Sequence, residues 1–401
     1  MVQSKTVDEH RPLLKDKNLY VIFCVTLSAV MGVASIAPAL PKMARVLNVS
    51  NEQIGLLITF FTVPGIFLTP VLGVLADRIG RKAILIPSLF IFGIAGTACA
   101  YAPNFTWLLV LRFLQGIGGA SLGALNVTLI GDLYSGNRRA TAMGYNASVL
   151  SVGTASYPAV GGALATLGWF FPFYLSLLAI PAGLYVLFSL RNPEPENGTE
   201  LKEYFANIFG SIKSKKVIGL FAANFLTFVM LYGAYLTFFP ILMDQRFGKS
   251  SFVIGIILSG SSFVTALTSS QLGKLAARFS EANLIVAAAV IYISVFLMIP
   301  FVGNIWLLMA PIALFGFAQG INIPSVLNLL THQAPSEHRA AFLSVNWTVI
   351  RGGQALGPVL LGLVYGVSGI TGTFLFTAGL AGIFVLIGLS LIKGRRIFTK
   401  N

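Results

Sequence analysis

Two arginines stand inside long apolar stretches of this 401-residue chain, Arg112 and Arg351. A guanidinium stays charged at any physiological pH. Within a membrane span it needs a partner, a water-filled cavity or a ligand. Arg351 lies about eleven residues into its apolar run, hence roughly 16 Å deep at a rise of about 1.5 Å per residue. Snorkelling to the boundary cannot easily reach that depth. It either meets an anionic or strongly hydrogen-bonding ligand, with Arg112 assisting, or is a structural arginine satisfied by carbonyls or by Asn322, Asn328 and Asn346. Arg112 is nearer a run's end, where the alternative to a functional role is an interfacial arginine on outer carbonyls. All 13 Asp and Glu residues fall at run ends or in polar connections, so no carboxylate reaches mid-membrane. A second charged group, Asp77, Arg78, Arg81 and Lys82, sits between two apolar runs, where Gly73 and Gly80 allow close approach or a turn. Asn126, Asn146, Asn224, Tyr232, Tyr235, Asn322, Asn346, Trp347 and Gln354 are the polar candidates to line a cavity, with hydrogen bonding between helices as the commoner use of such amides. No nucleophile–base pair stands out, and no phosphate-cradling Gly-x4-Gly-Lys loop is present. His10, His332 and His338 are scattered, without metal-ligand spacing. No enzyme activity, cofactor or metal is expected.

The elements positioning these residues follow from composition. A chain 56% apolar and 10% charged cannot present an ordinary soluble surface. Near-uncharged runs of roughly 20 residues, enough to cross about 30 Å of hydrocarbon, occur twelve times: 19–44, 54–75, 83–101, 106–130, 141–165, 170–190, 217–243, 251–275, 283–302, 305–331, 340–366 and 372–392. Runs this continuously apolar satisfy their own backbone as helices rather than as alternating barrel strands. The expected fold is all-α integral membrane, with a cytoplasmic tail (1–18), a six-helix bundle (19–190), a linker (191–216), a second six-helix bundle (217–392) and a C-terminal tail (393–401). The halves repeat at an offset of 200 residues: Gly73-x-Leu-Ala-x-Arg78 returns as Gly273-x-Leu-Ala-x-Arg278, Arg139-Ala140 as Arg339-Ala340, and Gly153, Pro158 and Gly162 as Gly353, Pro358 and Gly362. Of the 27 Lys and Arg residues, 21 fall on the side of the termini, 4 (Lys42, Arg45, Arg246, Lys249) on the other and 2 within spans. The positive-inside rule then places both termini in the cytoplasm. The net charge of +14 thus reads as topology, with the lipid bilayer as partner and no nucleic acid. Cys24 and Cys99 lie near opposite ends of their spans, which argues against a disulfide. The charged first 18 residues lack a cleavable signal, so the first span is expected to remain. A monomer is expected.

Gly73-Val-Leu-Ala-Asp77-Arg78-Ile-Gly80-Arg81-Lys82 resembles the loop signature between the second and third helices of the major facilitator superfamily. Leu108-x3-Arg112-x2-Gln115-Gly116-x-Gly118-Gly119-Ala120 is similar to that superfamily's basic fourth-helix motif. Gly32-x5-Pro38-x2-Pro41 and Gly153-Thr-Ala-Ser-Tyr157-Pro158-Ala-Val-Gly161-Gly162 resemble patterns of its twelve-helix drug/proton antiporters, although Tyr157 replaces a glycine and would fill a packing groove or point into the cavity. The resemblance implies two pseudo-symmetric six-helix bundles that rock about a midplane site, exporting small amphipathic molecules in exchange for protons. It assigns proton coupling to Arg112. It also implies a gate in which Asp77 caps the eleventh helix and Arg81 pairs with Asp132, locking the cytoplasmic side of an outward-open state; the alternative is a solvated loop that only sets topology. The missing midplane acid leaves Asp77 and Asp132 as titratable candidates. It also keeps open a carrier of anionic or lipid-like substrates built on Arg351 and Arg112.

Overall fold

The computed structural model describes residues 13–190, 214–333 and 339–392. The tails 1–18 and 393–401 and the linker 191–216 fall wholly or mostly outside these, as does His338. The chain threads back and forth as α1 (Lys17–Val46), α2 (Leu56–Ile79), α3 (Arg81–Ala98), α4 (Phe105–Leu133), α5 (Gly136–Leu167), α6 (Phe171–Ser189), α7 (Lys215–Phe247), α8 (Ser251–Ser270), α9 (Glu281–Met298) and α10 (Ile305–Gln333). Helix continues from Arg339 to Ile387, but Gly369 at φ 64° and ψ −169° divides it into α11 (339–368) and α12 (370–387). Side chains carry the helix starts: Asp16, Asn104, Ser250 and Ser280 each accept from a backbone N–H of the first turn, replacing a partner that the helix itself cannot supply.

Among the described residues, ten stretches are by themselves long and apolar enough to cross a membrane. The expected twelve arise because α5 dilutes its apolar content with Gly, Ser, Thr and Asn, and because α11 and α12 join into one apolar stretch. These twelve helices form two six-helix halves, α1–α6 and α7–α12. Ends near Lys17, Gly80, Ser135, Ala276 and Gln333 share one face, here called the terminal face. The prolines of α1 act where the spacing places them: helix ends at Ala34, passes through a tight turn at Ala37–Ala39 and resumes at Leu40.

Lipid offers no hydrophobic drive between helices, so small residues and hydrogen bonds must hold them together, at about 0.6 kcal/mol for a typical interhelical bond. In the second half Ser261, Thr265 and Ser269 of α8 donate to the carbonyls of Ile312, Gly316 and Gly320 of α10 at 3.3, 3.0 and 3.1 Å. Pro324 has no N–H for the Gly320 carbonyl, and the Ser269 hydroxyl takes its place. Thr69 donates to the Ala120 carbonyl at 2.8 Å at the matching place in the first half. Amides clasp each bundle internally. Asn126 donates to Thr26 and, at 3.3 Å, to Asn146; Asn224 donates to Asn346 at 2.6 Å, and Asn322 to Thr227 at 2.8 Å.

Candidate functional site

Helices from opposite halves meet in two pairs related by the internal repeat, α2 with α11 and α5 with α8. Away from the terminal face they close backbone to backbone. A Cβ at Gly55 would strike Pro358 and one at Gly255 the Pro158 carbonyl; one at Gly362 would strike the Glu52 carbonyl and one at Gly162 that of Ser251. Hydrogen bonds follow the same symmetry. Thr59 donates to the Ala355 carbonyl at 2.8 Å, and Ser259 accepts from the Ala159 N–H at 3.0 Å. Arg45 pairs with Asp244 across the halves, and the Tyr365 hydroxyl accepts from Gln245 at 3.0 Å and from Asn51 at 3.4 Å.

Toward the terminal face the same four helices part. Gly73 of α2, Gly144 of α5 and Gly260 of α8 have nothing within 4 Å of where a Cβ would stand, and neither has Gly273 just beyond α8. Among the described residues, the hydrogen bonds between halves run from the far side to Arg351 and no further, so the far side is closed and the terminal side open. Among the described residues, the hydrogen bond between halves nearest the opening comes from Arg351. Its guanidinium donates to the Gly119 carbonyl of α4 at 3.4 Å and to Gln354 at 3.2 Å, while its stem lies against Gly65 of α2. Trp347, one turn toward the terminal face, approaches Gly123. Tyr232 is an electrostatic neighbour of Arg351, and Phe225 packs against Gly352. Arg351, Trp347 and Tyr232 are each half-buried. Together they roof the opening with one cation and two aromatic rings.

Other expected lining residues lie elsewhere. Asn126, Asn146, Asn224, Asn322 and Asn346 are buried in the clasps of their own bundles, and Tyr235 is buried between Phe239 and Phe315. None of these six lines the opening, because their amides and rings face inward from the helices that carry them. Asn322, Asn328 and Asn346 are not partners of Arg351; Asn328 donates to Glu281 at 3.2 Å. Arg112 is fully buried rather than snorkelled. It donates to the Leu57 carbonyl at 3.0 Å and to Gln115 at 2.6 Å, with its guanidinium carbon 4.3 Å from the centre of the Phe61 ring. Gln115 in turn reaches Ser176 at 2.9 Å.

Of the α5 motif, Gly162 and Pro158 meet α8, whereas Gly161 meets the Ser35 carbonyl of α1. Gly153 and Tyr157 also face α1, beside Leu27 and Val30, so the Tyr157 ring fills the packing groove. Gly255→Val is expected to wedge the far side apart. The check is several-fold faster labelling, by an impermeant maleimide applied from that side, of a cysteine introduced as Thr59→Cys; unchanged labelling would contradict a seal at Gly255.

The charged hairpin turns at Gly80, whose φ of 94° favours glycine. Arg81 pairs with Asp77 and, at 2.9 Å, with Asp132. All three belong to the first half, so the cluster is formed while the terminal side is open. The expected cap by Asp77 on α11 involves residues near Arg339, whose side chains lie outside the described residues. Arg78 of the same hairpin is exposed. A further clasp, which no sequence motif marks, joins α4 to the start of α1: Tyr134, closing α4, donates to Asp16 at 2.9 Å. Burial first and the Asp16 charge second raise its phenol above the ordinary range, keeping it a donor.

The sequence profile of the Major Facilitator Superfamily matches residues 22–250 and 237–400. The chain is 25% identical over 387 residues to the class B tetracycline resistance protein of Escherichia coli, covering 92% of this chain and 93% of that one. It is 26% identical over 386 residues to multidrug resistance protein 2 of Bacillus subtilis, covering 92% and 94%. Among solved structures it resembles a bacterial homolog of the human lysosomal transporter Spinster, in an inward-facing, occupied conformation, with a TM-score of 0.79 and 17% identity over 94% of this chain and 96% of that one. With the repeated halves, the hairpin signature and a profile match along nearly the whole chain, the protein belongs to the Major Facilitator Superfamily and is a multi-pass membrane transporter of small molecules, not an enzyme.

Proposed function

We propose that this transporter exports small amphipathic molecules from the cytoplasm by alternating access, in exchange for protons, and acts as a monomer. The observation that carries the reading is the roof at Arg351, Trp347 and Tyr232, placed between the halves where a sealed far side meets an open terminal side. The excess of Lys and Arg on the side of the termini supports a cytoplasmic terminal face. Relatives named for tetracycline and multidrug resistance support export. Aromatic faces suit apolar substrate bodies, and a guanidinium suits a carboxylate or carbonyl. Asp77 and Asp132 are the acids available for proton exchange at the cytoplasmic gate.

A second reading, a carrier of anionic or lipid-like substrates without proton coupling, is favoured by a half-buried Arg351 with no carboxylate among its described partners. It rests on Arg351 alone, since Arg112 is sealed inside the first bundle. Substrate-induced proton release from acid-loaded everted vesicles, with matched panels of lipophilic cations, anions and zwitterions, separates the two. Gradient dissipation by amphipathic substrates supports proton-coupled export. Anion uptake without proton movement would replace it with the second reading.

A further inference from the structure

The interior of the second half carries a polar layer where the first half is apolar. At the 200-residue offset, Phe61 becomes Ser261, Phe92 becomes Tyr292, Gly119 becomes Gln319, Leu122 becomes Asn322 and Leu125 becomes Ser325. In the first half the layer is closed by Phe61 set edge to face on Phe92, ring centres 6.1 Å apart. In the second half Gln319, Asn322 and Ser325 climb α10 at steps of three residues, each at most 3% exposed. Among the described residues, both terminal atoms of Gln319 and the Ser325 hydroxyl are buried here with no hydrogen-bond partner. The hydroxyls of Tyr292 and Tyr235 have Asn322 and Ser261 within reach, one side chain each. Buried polar groups in native proteins are almost always satisfied, and several orphans in one layer share one explanation.

We propose that this layer of α7, α9 and α10 is a binding site for ordered water inside the C-terminal bundle. Water fits the donor set better than a cation does. Gln319 and the tyrosines present N–H and O–H donors beside their acceptors, and a metal ion would engage only the acceptors. Among the described residues, no carboxylate is present in the layer to neutralise a cation. A buried water makes about three hydrogen bonds and can join groups that cannot reach one another. The site lies beside Pro324, which lacks the N–H that would otherwise bond back along α10. Water that exchanges partners lets this helix shift against α7 and α9, while the matching layer of the first half stays dry.

The test is radiolytic hydroxyl-radical labelling of the full-length protein in nanodiscs, read residue by residue by mass spectrometry. Bound water generates radicals in place, so Tyr292 is expected to oxidise several-fold faster than Phe92, its equally buried counterpart. Asn322→Leu combined with Ser325→Leu, which installs the first half's residues, is expected to remove that excess and leave Phe92 unchanged. Equal rates at Tyr292 and Phe92 in the wild-type protein would overturn the proposal. So would an excess at Tyr292 that sodium suppresses relative to choline at equal ionic strength, since the occupant would then be a cation. Should the double variant fail to fold, Tyr292→Phe in the wild-type background serves instead: a ring that keeps fast oxidation without its hydroxyl supports water at the site, and one as slow as Phe92 counts against it.

Discussion

Arg351→Ala is expected to weaken transport of substrates bearing a carboxylate or a strong acceptor by roughly 10- to 100-fold, since a hydrogen bond to a charged group contributes about 1.5–3 kcal/mol and about 1.4 kcal/mol is tenfold. Neutral compounds lacking such a group should lose far less. The asymmetry follows from the contacts on the page. Arg351 donates to Gln354 and to the Gly119 carbonyl at 3.2 and 3.4 Å, both long for charged donors, and is only half-buried. Those bonds are weak enough for a ligand oxygen to displace. Initial-rate transport of matched anionic and neutral substrates, with the amount of inserted protein measured, decides the matter. Equal losses for both classes would make Arg351 a strut between the halves, its charge resting on the carbonyl of the opposite bundle. Arg351→Lys adds a second readout: the charge is kept, but the planar fork that can meet two acceptors together is lost, so a ligand-binding role predicts partial rescue.

Asp77→Asn is expected to abolish turnover while leaving folding and insertion close to normal. In the open state the Asp77 side chain is 42% exposed, and its pair with Arg81 spans the Gly80 turn at the water boundary. Such a pair contributes about 0–1 kcal/mol to stability, and Arg81 keeps Asp132 as a partner. A large functional effect must therefore arise in another conformation, where the terminal side closes and the α11 N-terminus comes near. A carboxylate there stabilises by about 0.3–1 kcal/mol, up to about 2 when partly buried, enough to bias two states of similar energy. The melting temperature of the purified variant and its turnover in vesicles, measured together, form the check. Normal turnover removes the gate role, and a melting temperature lowered in parallel with activity makes the hairpin structural.

Spans, their order and the duplication were legible because lipid imposes its requirement locally. Each crossing must be long, apolar and helical whatever surrounds it, and turns such as Gly80 and kinks such as Pro38 act over a few residues. Even α5, whose many small polar residues make it a weak span on hydropathy, stands where the run 141–165 placed it and packs closely in the fold. The site was legible only in part. Arg351, Trp347 and Tyr232 are half-buried between the halves, whereas Gln354, Asn126, Asn146, Asn224, Asn322, Asn346 and Tyr235 are buried. The far-side seal at Arg45 and Asp244, and the Tyr134 clasp on Asp16, join residues 199 and 118 positions apart. No local pattern announces either.

By itself the sequence determined the membrane as solvent, twelve crossings in two related halves, and the intramembrane charges for which the fold had to find partners. Only the tertiary structure decided which face each helix turns to its neighbours, which side stands open, and that the second half carries a polar interior layer. Each reason is physical. A helix apolar around most of its circumference can rotate about its axis without changing its hydropathy. Small residues and buried hydrogen bonds supply what the missing hydrophobic drive between helices does not, and they are settled only when the helices meet.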